Sequence, residues 1–123
     1  MEEKRVLFVE DSPTMRRIIF NTLKRLGFND IIEAEDGKDA LEKLKTAEVD
    51  LILTDWNMPE MNGHELVQHL RKEAKYKTTP ILMVTTRGME DDVMTAIQAG
   101  VNGYVVKPFT PEILQKKLVE LFG

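Results

Sequence analysis

The chain has 123 residues, a formal net charge of −4, 42% hydrophobic and 31% charged residues, and no cysteine. This length suits one compact domain, and this composition excludes a disordered chain, a disulfide framework and a thiolate metal site. Negative charge without a basic stripe also argues against nucleic acid as the direct partner.

In chain order, MEEKR begins no signal peptide, and no apolar run approaches the length of a membrane span, so a cytoplasmic domain without a membrane partner is expected. Short apolar runs then alternate with amphipathic segments of ten to fourteen residues. Strands are predicted at Arg5–Val9, Asp30–Ala34, Asp50–Asp55, Ile81–Thr85 and Gly103–Lys107. Several are apolar without alternation, as in parallel strands covered on both faces. Ser12-Pro13 and Thr110-Pro111 read as N-caps followed by proline at the first helical position. Gly27 and Gly100 stand where left-handed caps close helices. Apolar residues recur at helical spacing in the first helix (Met15, Ile18, Ile19, Leu23, Leu26), the third (Leu66, Val67, Leu70) and the fifth (Ile113, Leu114, Leu118, Leu121).

This order predicts one α/β domain over residues 1–123, a doubly wound (βα)5 fold with a flavodoxin-like parallel sheet of order 2-1-3-4-5. The ligand site of such a sheet lies beyond the carboxyl ends of the strands, where strand order reverses between strands 1 and 3. Glu10 and Asp11 follow strand 1, Asp55 ends strand 3, Thr85 and Thr86 end strand 4, and Lys107 ends strand 5. Three carboxylates at one rim cannot all stay ionised unaided, and a hard divalent cation resolves the conflict. Oxygen donors without His or Cys suit Mg²⁺. The formal charges of three acids, one Mg²⁺ and Lys107 cancel. Such a site can accept a phosphoryl group, because an Asp carboxylate is a phosphoryl acceptor and the added charge falls beside two cations.

The stretches "FVEDSPTMRRII" (8–19), "EAEDG" (33–37), "TDWNMPEMNG" (54–63), "PILMVTT" (80–86) and "AGVNGYVVKPFTP" (99–111) span the chain. In that order they resemble the receiver domains of two-component response regulators, in their single-domain chemotaxis branch. The resemblance implies that Asp55 is the phosphoacceptor and that Glu10, Asp11, Asp55 and the backbone carbonyl of Asn57 bind Mg²⁺. It implies that Lys107, preceding a cis peptide to Pro108, and Thr85 contact the phosphoryl oxygens, and that Tyr104 rotates inward when Thr85 does so. Asn57 and Arg87 would flank the path of the attacking water and set the phosphoryl lifetime. Val93, Tyr104 and Lys117 would contact a partner.

The same resemblance implies a monomeric switch that catalyses its own phosphorylation and dephosphorylation, without an effector domain. A chemotaxis histidine kinase would donate the phosphoryl group, the flagellar motor switch protein would receive the signal, and a phosphatase is a further candidate partner. A phosphorelay shuttle is the alternative within the family. A Mg²⁺-dependent aspartyl phosphatase is disfavoured, because those enzymes place the nucleophile after strand 1 in an Asp-x-Asp pattern. Two departures stand out: Glu10 occupies a position where the chemotaxis pattern usually has Asp, and the fourth helix opens with an acidic "MEDDV". His64 and His69 read as members of a solvated helix face and Trp56 as a partly buried reporter of the site. Arg16 and Arg17 either dock an acidic kinase domain or form an ordinary solvated face.

Overall fold

The computed structural model describes residues 3–122; Met1, Glu2 and Gly123 of the expected domain lie outside the described residues. The elements are β1 (Arg5–Val9), α1 (Pro13–Arg25), β2 (Asp30–Ala34), α2 (Gly37–Leu44), β3 (Leu51–Thr54), α3 (Gly63–Arg71), a 3₁₀ turn (Ala74–Tyr76), β4 (Ile81–Thr85), α4 (Glu90–Ala99), β5 (Gly103–Val106) and α5 (Pro111–Phe122). The strands pair in parallel in the expected order β2-β1-β3-β4-β5.

Successive strand residues point to opposite faces, so the apolar strands feed two cores. Leu7, Val9, Ile52, Ile81 and Met83 pack with Ala40 and Leu44 of α2, Leu66, Val67 and Leu70 of α3 and Ala96 of α4. Val6, Phe8, Leu51, Leu53, Leu82 and Val84 pack with Ile19 and Leu23 of α1 and Leu114 and Leu118 of α5. Right-handed crossovers explain the division. The chain steps outward from β1 to β2, then back across β1 to β3, β4 and β5, which places α1 on one face and α2, α3 and α4 on the other. The reversal leaves a crevice at the carboxyl ends of β1 and β3.

The punctuation works as read. Ser12 Oγ accepts the Met15 amide at 3.2 Å, Thr110 Oγ1 accepts the Ile113 amide at 3.2 Å, and Gly27 and Gly100 adopt φ of 103° and 117°. The boundaries differ in detail. β3 and β5 stop one residue short of Asp55 and Lys107, although the Asp55 amide still donates to Val9 O (3.0 Å) and the Lys107 amide to Thr85 O (2.8 Å). β3 also starts at Leu51 rather than Asp50. Helices α2 and α3, at 8 and 9 residues, fall below the expected length. The Ala74–Tyr76 turn was not anticipated. Ile18 and Ile113, counted on core faces by spacing, are 46% and 48% exposed. Each has a neighbour about 100° around its helix, Ile19 and Leu114, that takes the buried position instead.

Candidate functional site

The loop after β1 carries Glu10 and Asp11. Glu10 is 2% exposed, Asp11 is exposed, and one oxygen from each lies within 4.8 Å of the others and of an Asp55 oxygen. Lys107 Nζ bonds Glu10 Oε1 and donates to Asp55 Oδ2 at 3.0 Å. The Ser12 amide donates to Glu10 Oε2 (3.0 Å), and the Trp56 amide donates to Asp55 Oδ1 (2.6 Å). Burial pushes the Glu10 carboxyl above the ordinary carboxylate range and the Asp55 charge adds to this, while Lys107 and the Ser12 amide oppose it. The donor set is all oxygen, lies at a rim that reaches solvent through Asp11, and carries three carboxylates against one ammonium. It therefore fits a hard divalent cation.

Two features of the fold hold Asp55 where β3 ends. Gly63, the first residue of α3, is pressed against it: a Cβ there would meet the Asp55 carbonyl oxygen at 1.9 Å. Asn62 then caps α3 reciprocally with Glu65, whose side chain reaches back to the Asn62 amide. The Lys107–Pro108 peptide is cis.

Of the other predicted residues, Thr85, Asn57, Arg87 and Tyr104 gather on the β4 side of the crevice. Thr85 is fully buried and its Oγ1 accepts the Arg87 amide at 3.3 Å. The Arg87 guanidinium donates to Asn57 Oδ1 (3.1 Å) and Asp92 Oδ1 (3.1 Å) and lies 4.6 Å from the centre of the Trp56 ring. Tyr104 is half-buried, with its hydroxyl donating to Arg87 O at 2.7 Å. Val93 on α4 and Lys117 on α5 are half-buried, and Lys117 Nζ lies 3.8 Å from Glu120.

Some roles differ from the sequence reading. Trp56 is buried at 7% exposure, and His64 stacks on it with ring centroids 5.5 Å apart, so His64 is a packing partner rather than a purely solvated residue. His69 remains on an exposed face beside Glu73. Arg16 is bound within the loop it follows: Nη1 donates to Glu10 O (2.9 Å) and Asp11 O (3.2 Å). Its position in the first turn after two acids was the available signal. Gly63, against the Asp55 carbonyl, and Asp92, bonded to Arg87, also belong to the site.

Comparison with known proteins identifies the family of this fold. The family described as "Response regulator receiver domain" matches residues 6–119. The "Chemotaxis protein CheY homolog" of Campylobacter jejuni is 56% identical over 120 residues, covering 97% of this chain and 92% of the relative. The structure of chemotaxis response regulator CheY4 of Vibrio cholerae superposes with a TM-score of 0.89 at 40% identity, covering 96% of this chain and 98% of that one. The receiver domain of a sensor histidine kinase from Pseudomonas aeruginosa, described with a magnesium ion coordinated in its active-site cleft, gives 0.88 at 29% identity and 98% coverage of both chains. With its receiver fold, its acidic rim and these relatives, the chain belongs to the response regulator receiver domain family.

Proposed function

We propose that this protein is a phosphorylation-activated chemotaxis response regulator whose phosphoacceptor is Asp55. The observation that carries this is the Asp55 carboxylate at the β3 tip, 12% exposed, held between Lys107 and the Glu10–Asp11 acids. One carboxylate oxygen attacks phosphorus in a phosphohistidine of a chemotaxis histidine kinase. The phosphorus–nitrogen bond breaks, its electron pair returns to the imidazole, and Asp55 becomes an acyl phosphate.

The chain's own groups prepare this step. The Trp56 amide on Oδ1 and Lys107 on Oδ2 orient the carboxylate, and Lys107 remains beside the added negative charge. Glu10, Asp11, Asp55 and the Asn57 carbonyl would hold Mg²⁺, which when bound supplies positive charge against the phosphoryl oxygens. Thr85 would contact those oxygens, and Asn57 and Arg87 would border the route of the hydrolytic water. Output passes through protein contact, with Val93, Tyr104 and Lys117 facing the flagellar motor switch. The names of the chemotaxis relatives support this direction over a phosphorelay.

Intact mass after incubation with acetyl phosphate and Mg²⁺ tests the assignment. The native chain gains one phosphoryl group and Asp55→Asn gains none. Equal labelling of both sinks the phosphoacceptor reading.

A further inference from the structure

Helix α4 opens with three acids in its first turn, Glu90, Asp91 and Asp92. Met89 at its N-cap makes no side-chain hydrogen bond, and among the described helix residues Ala96 alone is fully buried. Neither cap nor core anchors the first turn strongly.

Arg87 reaches it instead. Its guanidinium bridges Asn57 Oδ1 and Asp92 Oδ1, each at 3.1 Å, and rests against Trp56. Its backbone takes the Tyr104 hydroxyl at the carbonyl and gives its amide to Thr85 Oγ1. The loop after Asp55, the end of β4, β5 and the first turn of α4 therefore meet on one residue. The far end of α4 is held by a denser set of bonds. Arg71 donates to Gly100 O from Nε (3.0 Å) and Nη2 (2.8 Å), and also to Thr79 O (2.8 Å) and Asn102 Oδ1 (2.8 Å). One end of α4 is clamped, while the other hangs on a partly exposed ion pair.

We propose that Arg87 is a charge relay: a phosphoryl group on Asp55 draws the guanidinium away from Asp92, and the freed first turn of α4 moves about its Arg71-held C-terminal end. The relay rests on Asp55 being the phosphoacceptor. Competition favours the phosphoryl group, which raises the negative charge at Asp55 by about one unit and adds three acceptor oxygens to a site Arg87 already borders. The pair it breaks is weak, since a partly exposed ion pair biases a two-state ratio by no more than about fivefold. Asp92 does not lose all support on release, because a carboxylate in the first turn still faces the positive end of the helix dipole.

The test uses amide ¹H–¹⁵N spectra of the full chain with Mg²⁺, before and after beryllium fluoride as the phosphoryl probe. In the native protein the amides of Glu90–Val93 shift on addition. Asp92→Asn, which leaves the acidic rim intact, shows those amides displaced in the same direction before any probe is added. In Arg87→Met they no longer respond, while amides next to Asp55 still do. Native-like unliganded positions in Asp92→Asn, or a full α4 response in Arg87→Met, overturn the relay. If beryllium fluoride perturbs nothing around Asp55 in the native protein, the phosphoacceptor reading falls and takes the relay with it.

Discussion

Gly63 is the residue on which the geometry of the rim depends most narrowly. A Cβ there would stand 1.9 Å from the Asp55 carbonyl oxygen and 3.1 Å from Trp56 Cα, and both are backbone atoms that cannot swing aside. The Gly63 amide also donates to Trp56 O at 2.8 Å, so the strand end and the helix start are tied as well as pressed together. Gly63→Ala is expected to cost about 2–3 kcal/mol, the upper range for overpacking, and to weaken Mg²⁺ binding read by Trp56 fluorescence. Urea unfolding and a metal titration check the two effects. Asp11→Ala, which removes one of the few proposed ligands and no hydrogen bond made by a side chain of the rim, should weaken Mg²⁺ in the same titration while leaving the urea midpoint nearly unchanged.

Tyr104 gives a pH signature at the same scale. Burial first, then the charges of Asp92 and Asp55, raise its phenol above the ordinary value of about 10, against an opposing contribution from Arg87. Between that ordinary value and the raised one, the unfolded chain has lost the proton and the folded chain keeps it. Stability therefore falls as pH rises through this window. Urea unfolding of Tyr104→Phe at alkaline pH should show a shallower decline than the native protein.

At the scale of elements, the ends of helices matter more than their middles. Asn62 and Glu65 close α3 reciprocally, and Asn62→Ala should cost about 1 kcal/mol of unfolding free energy. Arg71, the last residue of α3, carries a larger share. Its guanidinium serves carbonyls of Tyr76, Thr79 and Gly100 together with Asn102 Oδ1, which also accepts the Ile81 amide at the start of β4. One side chain thus joins α3, the 3₁₀ turn, β4 and the end of α4. Arg71→Met leaves several carbonyls without a donor and should cost about 3 kcal/mol in urea unfolding. Arg71→Lys should recover little of it, because a single ammonium cannot reproduce the planar fork.

For the molecule as a whole, the sheet separates two apolar cores, and burial rather than residue type sets the cost of a deletion. Leu70 is fully buried, and Leu70→Ala should lose about 2–5 kcal/mol. Ile18 is 46% exposed on the outer side of α1, and Ile18→Ala should stay within about 0.5 kcal/mol. Denaturant midpoints of the two variants make the comparison directly.

Local patterns in the chain specify the architecture and the acids of the rim. Strand runs, proline and glycine punctuation and helical spacing all agree locally, and right-handed crossovers leave few topologies open to such a series. Once the order is known, the residues after β1 and β3 must stand at the crevice, which is why Glu10, Asp11 and Asp55 cluster there. Tertiary structure decided which remote groups meet. Lys107 pairs with Glu10 across 97 positions of sequence, and the Arg87 guanidinium chooses Asn57 and Asp92. It also decided which of two adjacent apolar residues, Ile18 or Ile19, is buried. No periodicity encodes these choices. They depend on where long side chains end once the backbone is packed, because a cation leaving water takes whichever oxygen acceptors or counter-charges the folded surroundings offer there.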